Sequence, residues 1–311
     1  PAGWHPGSRP LARFWRFSHR ISLTADEAQA WLHVHGRGSA GVAGIQPAID
    51  SDAYASTVNR IKGLIFEGDC YQVNFTFPLD FDWFGSPLAL YARLREHQPV
   101  RYGGFVGDAQ QGLVSLSPEL FLERHGDRLV TRPMKGTAPR SVQASQLRSS
   151  AKDCAENLMI VDLLRNDLGR VADKGSVVVD RLFDIEEYPT LWQMVSEISA
   201  NVGGRSFGEI LRALFPCGSI TGAPKIRAMQ IIAELERGPR GVYSGAVGFF
   251  GFNGAADFGM TIRSIVFEGA KAYIGVGGGI TSDSDPIAEL EETKLKAQAL
   301  LRVLNAADPW S

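Results

Sequence analysis

The sequence has few cysteines, almost no net charge and no long apolar run, and each shortage removes a class of protein. Among 311 residues stand three cysteines, Cys70, Cys154 and Cys217, odd in number and widely spaced; they fit no zinc-ligand pattern and suit a reducing cytoplasm. They read as small buried side chains. With 32 basic and 34 acidic residues the formal net charge is −2, so no global basic field exists to draw nucleic acid or an anionic membrane surface. Any anion must be held by a local site. No uninterrupted apolar stretch approaches the ~20 residues of a membrane span. Pro1-Ala2-Gly3-Trp4 does not open a secretory signal. Internal repeats, low-complexity blocks and linker-like runs are missing as well.

What is present is a globular composition, 44% apolar and 21% charged, able to bury a large core in one large domain or two small ones. Residues 1–49 are Pro/Gly-rich, hold four of the six histidines (His5, His19, His33, His35) and show no sustained period, so they read as a reduced N-terminal segment. Residues 50–305 read as the organised domain and 306–311 as a tail. Asp50-Ser51 caps a helix with Tyr54, Val58, Ile61, Leu64 and Ile65 at helical spacing, ended by Gly68-Asp69. From Tyr71 to Phe77 apolar and polar residues alternate, which puts Tyr71, Val73, Phe75 and Phe77 on one face of a strand and Gln72, Asn74 and Thr76 on the other. Further strands read at 103–106, 113–116, 129–131, 177–179, 246–250, 257–266 and 272–276, with helices near 152–168, 206–214, 223–236 and 286–305. Strands outnumber helical crossovers, which predicts antiparallel sheets flanked by helices rather than a doubly wound parallel sheet.

Several residues carry chemistry. Lys135 lies in a Pro/Gly-bounded turn, Pro133-Met134-Lys135-Gly136-Thr137; a loop lysine is usually solvated, and becomes a nucleophile only where burial or positive charge lowers its pKa. On the last helix, capped by Asp285 and begun by Pro286, Glu289, Glu292 and Lys296 share a face. That face is either a solvated acidic first turn with an ion pair worth roughly 0.3–0.5 kcal/mol, or a set of hard oxygen ligands for Mg²⁺. Glu156 sits on an otherwise apolar helix, where it calls for a cationic partner or an exposed flank. Gly218 to Lys225 is a small-residue loop leading into a helix, and Gly275 to Gly279 is a glycine run; both let backbone amides approach an anion, and neither has dinucleotide or Walker spacing.

Ser117-Pro118-Glu119, Pro133 to Thr137, Glu156 to Val171, Gly218 to Lys225, Arg240 to Gly248, Met260 to Ser264, and Gly277 to Ile280 followed by Asp283 to Lys296 together resemble the chorismate-utilising enzymes, which include anthranilate, aminodeoxychorismate, isochorismate and salicylate synthases. The likeness covers about residues 50–305. It implies an α+β fold of two roughly orthogonal antiparallel sheets flanked by helices, one Mg²⁺, and chorismate as substrate. By resemblance Glu156 and Glu292, with Glu289 directly or through water, ligate the metal; Lys296 and the amides of Gly277, Gly278 and Gly279 assist the ring carboxylate. Tyr243 and Arg263 grip the enolpyruvyl carboxylate, and Thr221 lines the ring pocket.

Two positions sort the branches. Members that add water at C2 carry a lysine base where this chain has Gln72, which an amide cannot replace. Members that make anthranilate carry alanine where this chain has Lys135. The resemblance therefore implies the aminodeoxychorismate branch, with Glu119 as general acid on the C4 hydroxyl, Lys135 adding to C2, and ammonia entering at C4. Ammonia comes from a separate glutamine amidotransferase subunit, because every histidine precedes residue 126 while two of the three cysteines follow it. The competing readings are amination at C2, as in anthranilate synthase component I, and a non-catalytic subunit that docks a glutaminase. Gln193 stands where many relatives have histidine and is left an amide hydrogen-bonding role.

Overall fold

The computed structural model describes residues 11–108, 110–188 and 191–310; His5 and the tail's Ser311 lie outside these. Along the chain the elements are α1 (Ala25–His35), β1 (Ala40–Pro47), α2 (Ser51–Phe66), β2 (Gln72–Gly85), α3 (Pro87–His97), β3 (Tyr102–Gly107), β4 (Gln111–Ser117), β5 (Leu120–His125), β6 (Arg128–Arg132) and β7 (Met134–Pro139). They continue with α4 (Ala144–Arg148), α5 (Ala151–Gly169), β8 (Val178–Glu187), β9 (Leu191–Asn201), α6 (Phe207–Leu214), a 3₁₀ turn at Gly218–Ile220, β10 (Gly222–Ala223), α7 (Lys225–Leu235), β11 (Ala246–Phe250), β12 (Ala256–Met260), β13 (Ser264–Glu268), β14 (Lys271–Ile280) and α8 (Pro286–Val303). The strands form two antiparallel sheets, as the strand-rich pattern predicts. The first runs β1-β2-β14-β13-β4-β3, with β10 on β2; the second runs β11-β12-β5-β6-β9-β7, with β8 on β9.

Each sheet has its own core. Tyr54, Val58, Ile61 and Leu64 of α2 pack with Val73, Phe75, Phe77 and Leu79 of β2 and Leu300, Leu301 and Leu304 beside the first sheet. Ile160, Val161, Leu164 and Leu168 of α5 pack with Phe121, Leu122, Leu129, Ile198 and Met260 beside the second. Side chains of this size stabilise by about 1.5–3 kcal/mol each when fully buried. The helices start where the sequence caps them: Asp50 accepts a bond from the Ala53 amide at 2.7 Å, and Asp285 from the amides of Ile287 and Ala288 at 3.1 and 2.9 Å.

The connection between the sheets is what builds the site. β4 pairs with β13 in the first sheet and β5 with β12 in the second, so one two-stranded ribbon leaves the first sheet and enters the second. It bends where Pro118-Glu119 faces Thr261-Ile262-Arg263. The ribbon stays paired through the bend, Met260 N–H donating to Glu119 O at 3.0 Å and Leu116 N–H to Arg263 O at 3.1 Å. The single strand expected over 257–266 is therefore two strands in different sheets, and Arg263, with φ +50°, makes the turn between them.

Other differences have physical causes. Residues 25–47, read as aperiodic, form α1 and β1; α1 begins with a reciprocal capping box in which Thr24 and Glu27 satisfy each other's backbone amides, and β1 lies along the outer edge of β2. β5 and β9 escape alternation because Leu120-Phe121-Leu122 and Gln193 to Ser196 are buried on both faces. Tyr71, expected on the apolar face, precedes β2 and is exposed.

Candidate active site at the crossing of two sheets

Glu119 projects from the bend of the ribbon into the buried interior, 6% exposed. Burial pushes its carboxyl up to about 7, against the opposing influence of a Ser219 hydrogen bond and of the Lys135 and Arg263 charges. Ser219 Oγ donates to Glu119 Oε1 at 2.6 Å. Across the ribbon, burial lowers the pKa of Arg263, opposed by Tyr188 and Glu119. Among the described residues its guanidinium donates no hydrogen bond, so its planar fork is free for an anion.

Lys135 lies on β7, where a turn was expected. Met134 pairs with Val195 and Thr137 with Gln193, so Lys135 and Gly136 together oppose Met194 in a β-bulge that turns Lys135 toward the crossing. Gly136, at φ +91°, supplies the left-handed backbone that the bulge uses. Neighbouring amides hold it: Gln193 Nε2 donates to Gly136 O at 2.7 Å and Thr137 Oγ1 donates to Gln193 Oε1 at 3.1 Å. Asn157 Nδ2 donates to Lys135 O at 3.4 Å, and its Oδ1 accepts from Ser196 Oγ at 2.6 Å. Gln193 thus buttresses the lysine strand. Burial lowers the Lys135 pKa, with Lys296 acting the same way and Glu156, Glu119 and Glu292 opposing.

Facing Lys135 is the glycine run of β14. A Cβ at Gly279 would stand 2.8 Å from Gln72 Nε2 and 3.0 Å from Lys135 Nζ, so glycine leaves room for both. Gln72 is fully buried, and neither polar atom of its amide has a partner among the described residues, the condition of a group aimed at a ligand. β14 is paired with β2 through Ile280 but with β13 only as far as Ile274. Among the described residues, the backbone from Gly277 to Gly279 therefore has one edge with no strand neighbour, where the amides that point outward can meet an anion.

Carboxylates rim this pocket from two helices. Glu156 on α5 is partly buried and 3.9 Å from Lys152; burial raises its pKa, and Glu289 is one of the like charges adding to the rise. Glu289 on α8 accepts from Ser284 Oγ at 2.6 Å. A Cβ at Gly278 would lie 3.5 Å from Glu289 Oε2 and 3.9 Å from Lys296 Nζ. Glu292 and Lys296 pair at 2.7 Å with side chains 55% and 46% exposed. Among the described residues no three His, Cys, Asp or Glu side chains close around a metal position by themselves.

Two expected residues stand apart. Tyr243, whose phenol burial pushes up to about 12, neighbours Arg240, Glu236 and Ser244, and its ring covers Gly275. Thr221 is buried, its hydroxyl donating back to Cys217 O at 2.9 Å. Its loop spends its backbone on β2, as Tyr71 N–H donates to Ala223 O and Asn74 N–H to Thr221 O, and Lys225 pairs with Asp167. Sequence reasoning passed over Ser219, Asn157, Ser196, Tyr188 and the Lys225–Asp167 pair. Ser219, Asn157, Lys225 and Asp167 lie inside the stretches that carry the family likeness, yet each of these side chains gains its role only from a partner distant in sequence.

Residues 15–302 match the sequence profile of the chorismate binding enzymes. The chain is 41% identical over 324 residues to aminodeoxychorismate synthase of Streptomyces griseus, covering 94% of this chain and 45% of that protein. It is 40% identical over 267 residues to aminodeoxychorismate synthase component 1 of Escherichia coli K12, covering 83% and 59% respectively. The chain thus spans about half the length of these curated relatives. Its backbone resembles the crystal structure of anthranilate synthase component I from Streptococcus pneumoniae, with a TM-score of 0.77 and 30% identity over 84% of this chain and 59% of that one. With a family profile spanning nearly the whole chain and relatives of this identity, the chain belongs to the chorismate binding enzyme family.

Proposed function

We propose that this chain aminates chorismate at C4, giving 4-amino-4-deoxychorismate for p-aminobenzoate and folate synthesis, in the cytoplasm, with ammonia from a glutamine amidotransferase partner. The observation that carries the reading is the Lys135 amine, held by the β7 bulge beside Gly279 and the unpaired Gln72 amide, and within reach of the Glu119 field. Neutral Lys135 Nζ bonds to C2 of the ring and sheds a proton. The ring double bonds shift, and the C4–O bond breaks as Glu119 gives its proton to the departing hydroxyl, which leaves as water. Ammonia then bonds to C4, the double bonds shift back, and the C2–N bond breaks to free Lys135. Arg263 holds the enolpyruvyl carboxylate, and Lys296 with the Gly277–Gly279 amides faces the ring carboxylate; Tyr243 and Thr221, engaged with their own neighbours, back the pocket from behind.

Glu156 and Glu292, with Glu289 directly or through water, would hold a Mg²⁺, which when bound neutralises the ring carboxylate. The donor set suits this ion: Glu156, whose proton affinity the neighbouring Glu289 charge raises, faces half-exposed Glu292, with room for the waters and substrate oxygens that Mg²⁺ keeps. Amination at C2 is the second reading, favoured by the likeness to an anthranilate synthase component I; Lys135 opposes it by filling the approach to C2. Incubation with chorismate, Mg²⁺ and ammonium, then product identification with and without a lyase, separates the two. Without ammonia, mass spectrometry of the quenched protein should find substrate minus water on Lys135, and Lys135→Ala should lose that adduct and divert residual amination to C2. Parental rates of C4 amination in Lys135→Ala would remove the covalent step.

A further inference from the structure

Among the described residues, Ser219 is the one side chain hydrogen-bonded to the Glu119 carboxyl, and it is 6% exposed. Its hydroxyl also lies 3.4 Å from Cys217 Sγ. Burial pushes the Cys217 thiol up to about 11, so the thiol keeps its proton at neutral pH. A carboxylate oxygen is a far better acceptor than a thiol sulfur, so the favoured direction of the chain is Cys217 S–H to Ser219 Oγ, and Ser219 O–H to Glu119 Oε1. When Glu119 takes up a proton, Oε1 is already engaged and Oε2 is the free site. The loop carrying both residues is fixed at each end, by Thr221 Oγ1 donating to Cys217 O at 2.9 Å and by Lys225 Nζ donating to Leu214 O at 3.0 Å and pairing with Asp167.

We infer that Ser219 is a positioning residue for the acid: by committing Oε1 of Glu119 it directs the transferable proton to Oε2, the oxygen left for the substrate hydroxyl. The inference rests on the reading of Glu119 as the acid. The other groups facing Glu119 are Lys135 from β7, Arg263 from the bend of the ribbon, and Cys217 from the same loop. Each acts through its charge or its bulk, and none bonds to the carboxyl. Ser219 thus separates two functions that a bare buried carboxyl would confuse, holding the proton and aiming it.

The test reads the carboxyl directly. In the ligand-free protein the infrared carbonyl band of protonated Glu119, identified by its loss in Glu119→Gln, is titrated against pH. In Ser219→Ala the band should rise in frequency and its titration midpoint should move up by about one pH unit, the equivalent of one hydrogen bond to a charged group. The kcat should fall several-fold with KM unchanged, and Ser219→Thr should restore band, midpoint and rate. Ser219→Cys, close in size and a weaker donor, should move band and midpoint the same way by less. Unmoved band and midpoint in the Ala and Cys variants would overturn the inference. Full turnover in Glu119→Gln would instead bring down the acid reading, an outcome the infrared titration does not share.

Discussion

Glu119 and Glu292 carry the same carboxyl and both act electrostatically on the amine of Lys135, yet their surroundings push them in opposite directions. Glu119 sits on a strand bend, 6% exposed, and burial raises its pKa to about 7. Glu292 stands on the first turns of α8 with its side chain 55% exposed; burial alone would raise it, but Lys296 and then Lys135 hold it below the usual carboxylate range. One glutamate is set to carry a proton at neutral pH and the other to carry a charge. The buried crossing and the half-exposed rim thus supply an acid and a set of anionic ligands from one residue type, through desolvation in the first case and a neighbouring ammonium in the second.

The sharpest way to break this contrast is Glu119→Gln, which keeps shape and removes the proton. Turnover should fall by about 10²–10⁴-fold, the usual contribution of general acid–base catalysis, and binding of chorismate, measured by equilibrium dialysis, should persist; a loss under tenfold would mean that another acid acts. Its pH signature follows. The acid form of Glu119 is present below about pH 7 and lost above it, whereas neutral Lys135 is lost as pH falls, so the profile of kcat/KM should break near pH 7, and Glu119→Gln should erase that break.

The rim should respond differently. Glu156→Gln and Glu292→Gln should each raise the Mg²⁺ concentration needed for half-maximal rate by an order of magnitude or more, since each removes a charge from the proposed ion site. Parental rates at low Mg²⁺ in both variants would assign the ion elsewhere. Arg263→Lys belongs to the crossing and should raise KM for chorismate roughly tenfold, through loss of the bidentate fork; an unchanged KM would move the enolpyruvyl carboxylate away from Arg263.

Ion pairs sharpen the same comparison on the stability scale. Lys225 and Asp167 pair with side chains 11% and 3% exposed, so Lys225→Met should destabilise by about 3–5 kcal/mol by stranding a buried carboxylate, and Lys225→Met with Asp167→Asn should recover much of that. Chemical denaturation of the single and double variants gives the difference. Lys296→Met, breaking the half-exposed pair with Glu292, should cost at most about 0.5 kcal/mol.

Periodicity and capping made much of the scaffold legible. The Tyr54-Val58-Ile61-Leu64 stripe, the Asp285-Pro286 start and the alternation from Gln72 onward correspond to α2, α8 and β2. Thr24 and Glu27 also spelled the cap of α1 and went unread because the helix beyond them is short and weakly patterned. β5 and β9 were hidden for the opposite reason, since a strand covered on both faces has no alternation to show.

The amino-acid sequence by itself determined the family motifs, the antiparallel-sheet class and the identities of Lys135, Gln72, Glu119 and Arg263, because these depend on residue type and local period. Tertiary structure alone decided that Pro118-Glu119 and Thr261–Arg263 are the bend of one ribbon, that Lys135 rises from a bulge opposite Met194, and that Ser219, 100 residues from Glu119, meets its carboxyl. Such facts arise from strand pairing and burial between distant segments. Desolvation, which sets Glu119 and Lys135 to their work, exists only once those segments have closed around them.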